Sequence, residues 1–260
     1  MTSLEFVDVA TARSAAGVRI VVTGLVPSPW SEATKGLFRV GQVPVLAVRR
    51  MRDAVDVTAW TGIDHVPVVL HDVEPARTHW AAITALAARL AGPDVLLPED
   101  LTARAEVMGL LDLIAGEDGI GWSSRLAMIH ASLTTEGARG FPLPVASYLA
   151  KRYGYTPEAS AHSRGRIERQ LQTLRDRLLA QRALGHAYLA GARVSALDVY
   201  AATFLTPLRP IAEKDCPGLA PALRHAFGAA HEELGHLVPA ELLEHREMMF
   251  ARHLAWPIAL

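Results

Sequence analysis

The feature that most limits how this chain can fold is a change of hydrophobic period near residues 92–98. Upstream, short β-branched runs alternate with helical stripes; downstream, only helical stripes remain. Residues 18–25 form the first such run, closed by Pro27 and Pro29, and read as a buried strand. A helix is predicted over 31–41, with Ala33, Leu37 and Val40 on one stripe, Glu32 in its first turn and Gly41 as its stop. Strands are predicted over 44–48 and 66–70, with an irregular helix over 52–62 between them. After a polar turn at His71-Asp72 and Pro75, a helix over 78–90 places Ile83, Leu86, Ala87 and Leu90 on one face. Thr78 is its predicted N-cap. The order β-α-β-α-β-α, with space for one more short strand before the last helix, predicts a mixed sheet flanked by helices.

From residue 99 the pattern predicts helices over 99–115, 121–134, 144–153, 157–184, 196–205, 221–233 and 239–255. No internal repeat or low-complexity linker separates the halves. An α/β domain over 18–91 and an all-α domain over 99–260 are therefore expected to pack together across 92–98.

Charge narrows the partners. The chain has 26 basic and 27 acidic side chains, which gives no electrostatic reason to expect nucleic acid or an anionic membrane as partner. A single cysteine, Cys216, excludes an intramolecular disulfide and a structural zinc site of the finger type. Residues 1–17 contain Glu5 and Asp8 and lack a basic start followed by an apolar run, so they do not read as a signal peptide. No apolar segment approaches the ~18 to 20 residues that span a bilayer. A soluble, cytoplasmic protein is expected.

Three motifs occur in a fixed order. Val26-Pro27-Ser28-Pro29-Trp30-Ser31 joins the first strand to the first helix, Val66-Pro67 opens the third strand, and Tyr188-Leu189-Ala190-Gly191 precedes Ser195-Ala196-Leu197-Asp198. As a set they resemble the cytosolic glutathione transferase superfamily. The first is similar to the catalytic loop of its serine and cysteine classes, the second to its cis-proline, and the third to a capping box on a buried helix. Trp60-Thr61-Gly62 and Glu74-Pro75-Ala76-Arg77-Thr78 resemble a bacterial branch. The resemblance implies a thioredoxin-like α/β domain followed by an all-α domain. It also implies glutathione as co-substrate, a small hydrophobic electrophile, and a homodimer in which the sheet domain of one subunit meets the helical domain of the other.

Carried onto these positions, the resemblance makes Ser28 the catalytic residue. Glutathione chemistry needs a thiolate, and a free thiol titrates near ~8.5. A hydroxyl donating to the sulfur and a helix N-terminus aimed at it both favour the ionised form. The alternative is that Ser28 is a turn residue between two prolines, with Ser31 as the helix cap. Trp30 would flank a substrate or serve as a core or interface tryptophan. Val66 and Pro67 would offer main chain to the cysteinyl amide of glutathione. Arg77 and Thr78 stand where the family usually has Glu/Gln-Ser holding the γ-glutamyl carboxylate. They would either take that carboxylate or form a capped helix start with a solvated arginine. Nothing acidic stands beside Thr78 to hold the glutamyl amine unless Asp64, Asp72 or Glu74 bends in.

Other chemistry-bearing residues read blandly. His231 and His236 are five apart and do not share a helix face, unlike i,i+4 metal ligands. No metal site is expected. Cys216 reads as an ordinary loop thiol, and the basic residues between Arg164 and Arg182 as a solvated helix face. Trp122, Met108, Arg104 and His130 are candidates for a pocket between the domains. The expected function is activation of the glutathione thiol for attack on an electrophile, by conjugation, ether or thioether cleavage, or isomerisation. The alternative is a non-catalytic binding or assembly module of the same shape.

Overall fold

The computed structural model describes residues 4–51 and 54–260. Four strands, β1 (Leu4–Phe6), β2 (Val18–Thr23), β3 (Val45–Arg50) and β4 (Val68–His71), form one sheet in the order β1-β3-β2-β4. β3 runs parallel to both β1 and β2, while β4 runs antiparallel to β2. The extra strand foreseen before the last helix is reduced to a single antiparallel bridge between Val69 and Arg77.

β2 is buried on both faces, and its alternation divides the core. Val18, Ile20 and Val22 face α2 (Pro29–Val40) and α4 (Trp80–Ala91), where Ala33, Leu37, Ile83 and Leu86 pack. Val21 faces the other way with Val48 and Val68. They pack against Ala12 of α1 (Val9–Ser14) and Val57 of α3 (Val55–Thr61). The predicted helix over 52–62 began at Arg52, which lies outside the described residues.

The helical half comprises α5 (Leu101–Ala115), α6 (Ile120–Thr134), α7 (Leu143–Arg152), α8 (Pro157–Ala161), α9 (Ser163–Ala183), α10 (Ala196–Phe204), α11 (Pro221–Leu234) and α12 (Ala240–Arg252). The single helix predicted over 157–184 is two. It breaks at His162, whose N–H turns to the Ser160 carbonyl, while Ser160 and Ser163 are drawn into the core.

α10 is buried along its whole length and joins the halves. The Ala196 amide donates to the Leu96 carbonyl of the connecting segment at 2.9 Å. The Tyr200 hydroxyl lies 3.1 Å from Thr84 Oγ1 of α4. Gly36 of α2 faces α10 so closely that a Cβ there would stand 2.7 Å from Val199 Cγ1. One apolar cluster therefore runs from the sheet through α2, α4 and α10 into α5, α9 and α12. The segment after α12 returns to the first half, with Lys35 Nζ donating to the Ala259 carbonyl at 2.7 Å and Arg49 bonding the Leu260 carbonyl.

Asp198 organises the start of α10. Its carboxylate reaches back to the Ser195 amide (2.9 Å), as a capping box requires. It also accepts from the Ser195 hydroxyl (2.7 Å) and the Leu189 amide (2.8 Å), and His245 Nε2 lies 3.1 Å away. Every one of these groups is out of water. Removing the carboxylate strands two buried amides, so Asp198→Ala should cost about 3–5 kcal/mol of stability in chemical denaturation. A loss under ~1 kcal/mol would show that the cap does not hold the helix.

Candidate active site

The loop from β2 to α2 begins in an unusual conformation. Leu25 sits at φ 59 with its side chain exposed, a left-handed backbone that disfavours a branched residue. Ser28 N then donates to the Val26 carbonyl at 2.8 Å, and α2 starts at once with Pro29. Proline fits the first helical position because its fixed φ is already helical and the missing N–H would have no partner there.

This corrects the predicted cap. Ser28, not Ser31, is the N-cap of α2. Ser31 lies inside the first turn, buried, with its hydroxyl 3.1 Å from both the amide and the hydroxyl of Thr23, and so ties α2 to the end of β2. Ser28 is half-buried, and its hydroxyl makes no capping bond. Among the described residues that hydroxyl has no hydrogen-bond partner, and neither do the amides of Trp30 and Ser31. A free hydroxyl thus stands beside two free helix amides.

Trp30 fixes this loop against the helical half. Its indole Nε1 donates to the Ala115 carbonyl at the end of α5, at 3.2 Å. Its ring meets Phe204 edge-on at 4.9 Å and lies 6.1 Å from Tyr153, which in turn meets Trp122 at 4.6 Å. Gly121 opens the space for this contact. A Cβ at that position would stand 2.5 Å from the Phe204 ring and 2.9 Å from Trp30.

The Val66–Pro67 peptide is cis, and Val43–Pro44 is not among the cis bonds found. Val66 lies just beyond the β2–β4 ladder, and its main-chain groups have no protein partner among the described residues. Asp64, close by, is held below its ordinary value chiefly by the His65 hydrogen bond and least by the charge of Arg152, which adjoins Tyr153.

The start of α4 differs from expectation. The N-cap is His79, not Thr78; its Nδ1 accepts from the Ala81 amide at 3.3 Å. Thr78 is half-buried one residue earlier, and its hydroxyl has no partner among the described residues. The Arg77 guanidinium is occupied, donating to Glu74 Oε2 at 2.5 Å and to the Pro75 carbonyl at 3.2 Å. Arg89 and His71 converge on the same carboxylate. These bonds, from Arg89 first, then His71 and Arg77, bring Glu74 down to about 2, so it stays anionic at neutral pH. Asp72 accepts from the Gly17 amide at 2.7 Å. Of the three carboxylates considered for a glutamyl amine, Asp64 alone is mostly exposed, with only His65 paired to it among the described residues.

Of the further pocket candidates, Trp122 belongs to the Trp30 and Tyr153 group. His130 bonds the Tyr155 hydroxyl at 2.9 Å. Arg104 and Met108 line a different groove, between α4 and α5, that includes none of the loop residues. Sequence reasoning missed Arg125 of α6, which is 8% exposed and lies over the Phe141 and Tyr153 rings. Cys216 is fully buried, not an ordinary loop thiol, and burial pushes it above its ordinary value. Of the five histidines near the C-terminus, four hydrogen-bond separately, His225 with Ala138, His231 with Leu208, His236 with Arg164 and His253 with Tyr188, while buried His245 lies 3.1 Å from Asp198 with neither ring nitrogen hydrogen-bonded among the described residues. No helix among the described residues is long and apolar enough to cross a membrane.

A glutathione transferase family member from Pseudomonas fluorescens, with two glutathione bound, aligns over 94% of this chain and 94% of its own at 15% identity and a TM-score of 0.63. A glutathione S-transferase domain-containing protein from Marinobacter aquaeolei aligns over 90% of this chain and 98% of its own, at 17% identity and a TM-score of 0.57. A glutathione S-transferase from Methylobacterium radiotolerans, in complex with glutathione sulfonate, covers 94% and 98% at 16% identity and a TM-score of 0.55. The chain has the glutathione transferase fold. Its sheet domain is thioredoxin-like and its second half is all helical. No protein-family model and no curated protein matches the sequence.

Within this glutathione transferase fold, the contact of Trp30 with Gly121 is directly testable. Gly121→Ala should lose about 1–3 kcal/mol of stability, because the added methyl overlaps two packed rings. Gly109→Ala on α5 meets open space and should be neutral or stabilising through helix propensity. Thermal melts of the two variants check the contrast, and equal midpoints would contradict it.

Proposed function

We propose that this chain is a glutathione-dependent transferase in which Ser28 stabilises the reacting thiolate. The observation that carries the reading is the Ser28 hydroxyl at the N-terminus of α2, which has no hydrogen-bond partner among the described residues and stands beside the amides of Trp30 and Ser31, which have none among them either. Ser28 would donate its hydroxyl proton to the sulfur, and the helix amides would add partial positive charge, both favouring the ionised form at neutral pH. The hydroxyl acts as a hydrogen-bond donor and not as a nucleophile. That role fits a serine without a neighbouring base.

Val66 and Pro67 would present main chain to the cysteinyl portion of glutathione. Thr78 and the first turn of α4 would receive the γ-glutamyl carboxylate. Arg77, already bound to Glu74, would support that end by position and field, and Asp64 is the carboxylate free to meet the glutamyl amine. Trp30, Trp122 and Tyr153 would wall the cleft that takes a small hydrophobic electrophile. Conjugation is the default outcome, and ether or thioether cleavage and isomerisation use the same thiolate. The solved neighbours described with glutathione or glutathione sulfonate support the co-substrate. A homodimer in the cytoplasm, with the sheet domain of one subunit against the helical domain of its partner, completes the proposal.

The occupied Arg77 gives a second reading its footing, a module of this shape that no longer binds glutathione. Calorimetric titration separates the two. Saturable heat with glutathione supports the transferase, and a flat titration supports the module. Ser28→Ala should keep binding within a few-fold and lower kcat roughly a hundredfold or more, the usual scale for losing one donor to a developing anion. Full activity in Ser28→Ala would overturn the assignment.

A further inference from the structure

Three arginines are buried among the described residues, and two of them have acceptors at their terminal nitrogens, although their Nε atoms have none. Arg19 donates to the carbonyls of Gly17 and Asp72, and Arg246 to Glu247 and the Arg209 carbonyl. Arg125 is the exception. It is 8% exposed, yet among the described residues none of its nitrogens has a hydrogen bond or ion pair, its Nε being shielded like those of the other two. A guanidinium drawn out of water loses hydration that only acceptors restore, so a chain holding one bare forgoes stability at that point.

Its position is specific. Gly121, one turn before Arg125 on α6, is the point where α6 touches Trp30 and Phe204. Residues four apart on a helix lie one above the other. Trp122 and Arg125 both meet Tyr153, at 4.6 Å between rings and 5.9 Å from guanidinium to ring, and Tyr153 lies 6.1 Å from Trp30. The guanidinium therefore adjoins the aromatic group that docks the Ser28 loop. Its Cζ lies over the rings of Tyr153 and Phe141 at 5.9 and 5.1 Å, cation–π contacts that leave its N–H groups without an acceptor among the described residues.

We infer that Arg125 receives the carboxylate of the second substrate, making the acceptor an aromatic electrophile that carries one carboxylate. This inference rests on the transferase reading for its chemistry but not for the anion contact itself. Planar carboxylates match the guanidinium fork, and flat rings match the surrounding indole and phenol faces. With a chlorodinitrobenzoate, the glutathione sulfur forms a bond to the ring carbon that bears chlorine. The carbon–chlorine bond then breaks, chloride leaves with the bonding pair, and the thiol proton passes to solvent.

The test compares a chlorodinitrobenzoate with its methyl ester, each rate divided by its uncatalysed rate. The wild-type ratio of kcat/KM, acid over ester, should be about tenfold or more, the usual worth of a charge-assisted bond. It should fall to about one in Arg125→Leu and lie between in Arg125→Lys, which keeps charge without the fork. A wild-type ratio near one, or an unchanged ratio in Arg125→Leu, overturns the inference. Tryptophan quenching by nitrobenzoate and by methyl nitrobenzoate, read without glutathione, separates the two layers. Preferential binding of the acid that Arg125→Lys weakens and Arg125→Leu abolishes, in a protein that turns over neither compound, sinks the transferase reading and upholds the anion site. Equal quenching by acid and ester in the wild type sinks the anion site whatever the turnover.

Discussion

A single tryptophan side chain couples the two halves of this molecule where the chemistry is proposed. Trp30 leaves the sheet domain two residues after Ser28, hands its indole proton to the Ala115 carbonyl, and wedges its ring between Phe204 and the aromatic group of α6 and α7. The carbonyl belongs to the last turn of α5, where backbone oxygens have no helical donor, so the bond satisfies a group the helix itself cannot. Position 121 must be bare for the ring to fit. The strand-to-helix loop is thereby fixed from both sides, by Ser31 to β2 and by Trp30 to the helices.

With the loop anchored from both sides, the Ser28 hydroxyl has no hydrogen-bond partner among the described residues. Serine at an N-cap commonly accepts from the amides of the first turn. Here Pro29 removes one amide and the Ser28 side chain makes no cap bond, while Ser31, the residue best suited to cap in sequence, is spent on Thr23. Helix amides and a hydroxyl left without internal partners are a small reservoir of positive potential. Such a reservoir can stabilise a guest anion without first breaking protein contacts. The same logic reappears at Arg125, a buried cation beside the same aromatic group with no acceptor among the described residues. Glu74 follows the opposite rule, since two guanidinium groups and the His71 ring saturate it and leave it nothing to offer a ligand.

Much of this was legible in the sequence. β2, β3 and α4 follow directly from their apolar period, and the cis peptide was placed by its position at the head of β4. β1 and α1 were not legible, because three and six residues are too short to display a period. The cap of α2 was misassigned although Pro29, a residue favoured at the first helical position, marked it plainly. His79 escaped because imidazole is not among the common caps, and Thr78 beside it is. Arg125 could not have been found. In sequence it is one arginine in an amphipathic helix, and its distinction lies in partners it lacks, which only the packed arrangement of Phe141, Tyr153 and α6 reveals.

The central claim is that the docked loop lowers the proton affinity of a guest sulfur. Ultraviolet absorption of the thiolate, followed across pH for glutathione bound to the protein, reads that affinity directly. The account predicts a midpoint at least about one unit below the ~8.5 of a free thiol, moving back toward that value when Ser28 is replaced by alanine. A bound thiol that titrates like a free one, or a lowered midpoint indifferent to the Ser28 substitution, would contradict it.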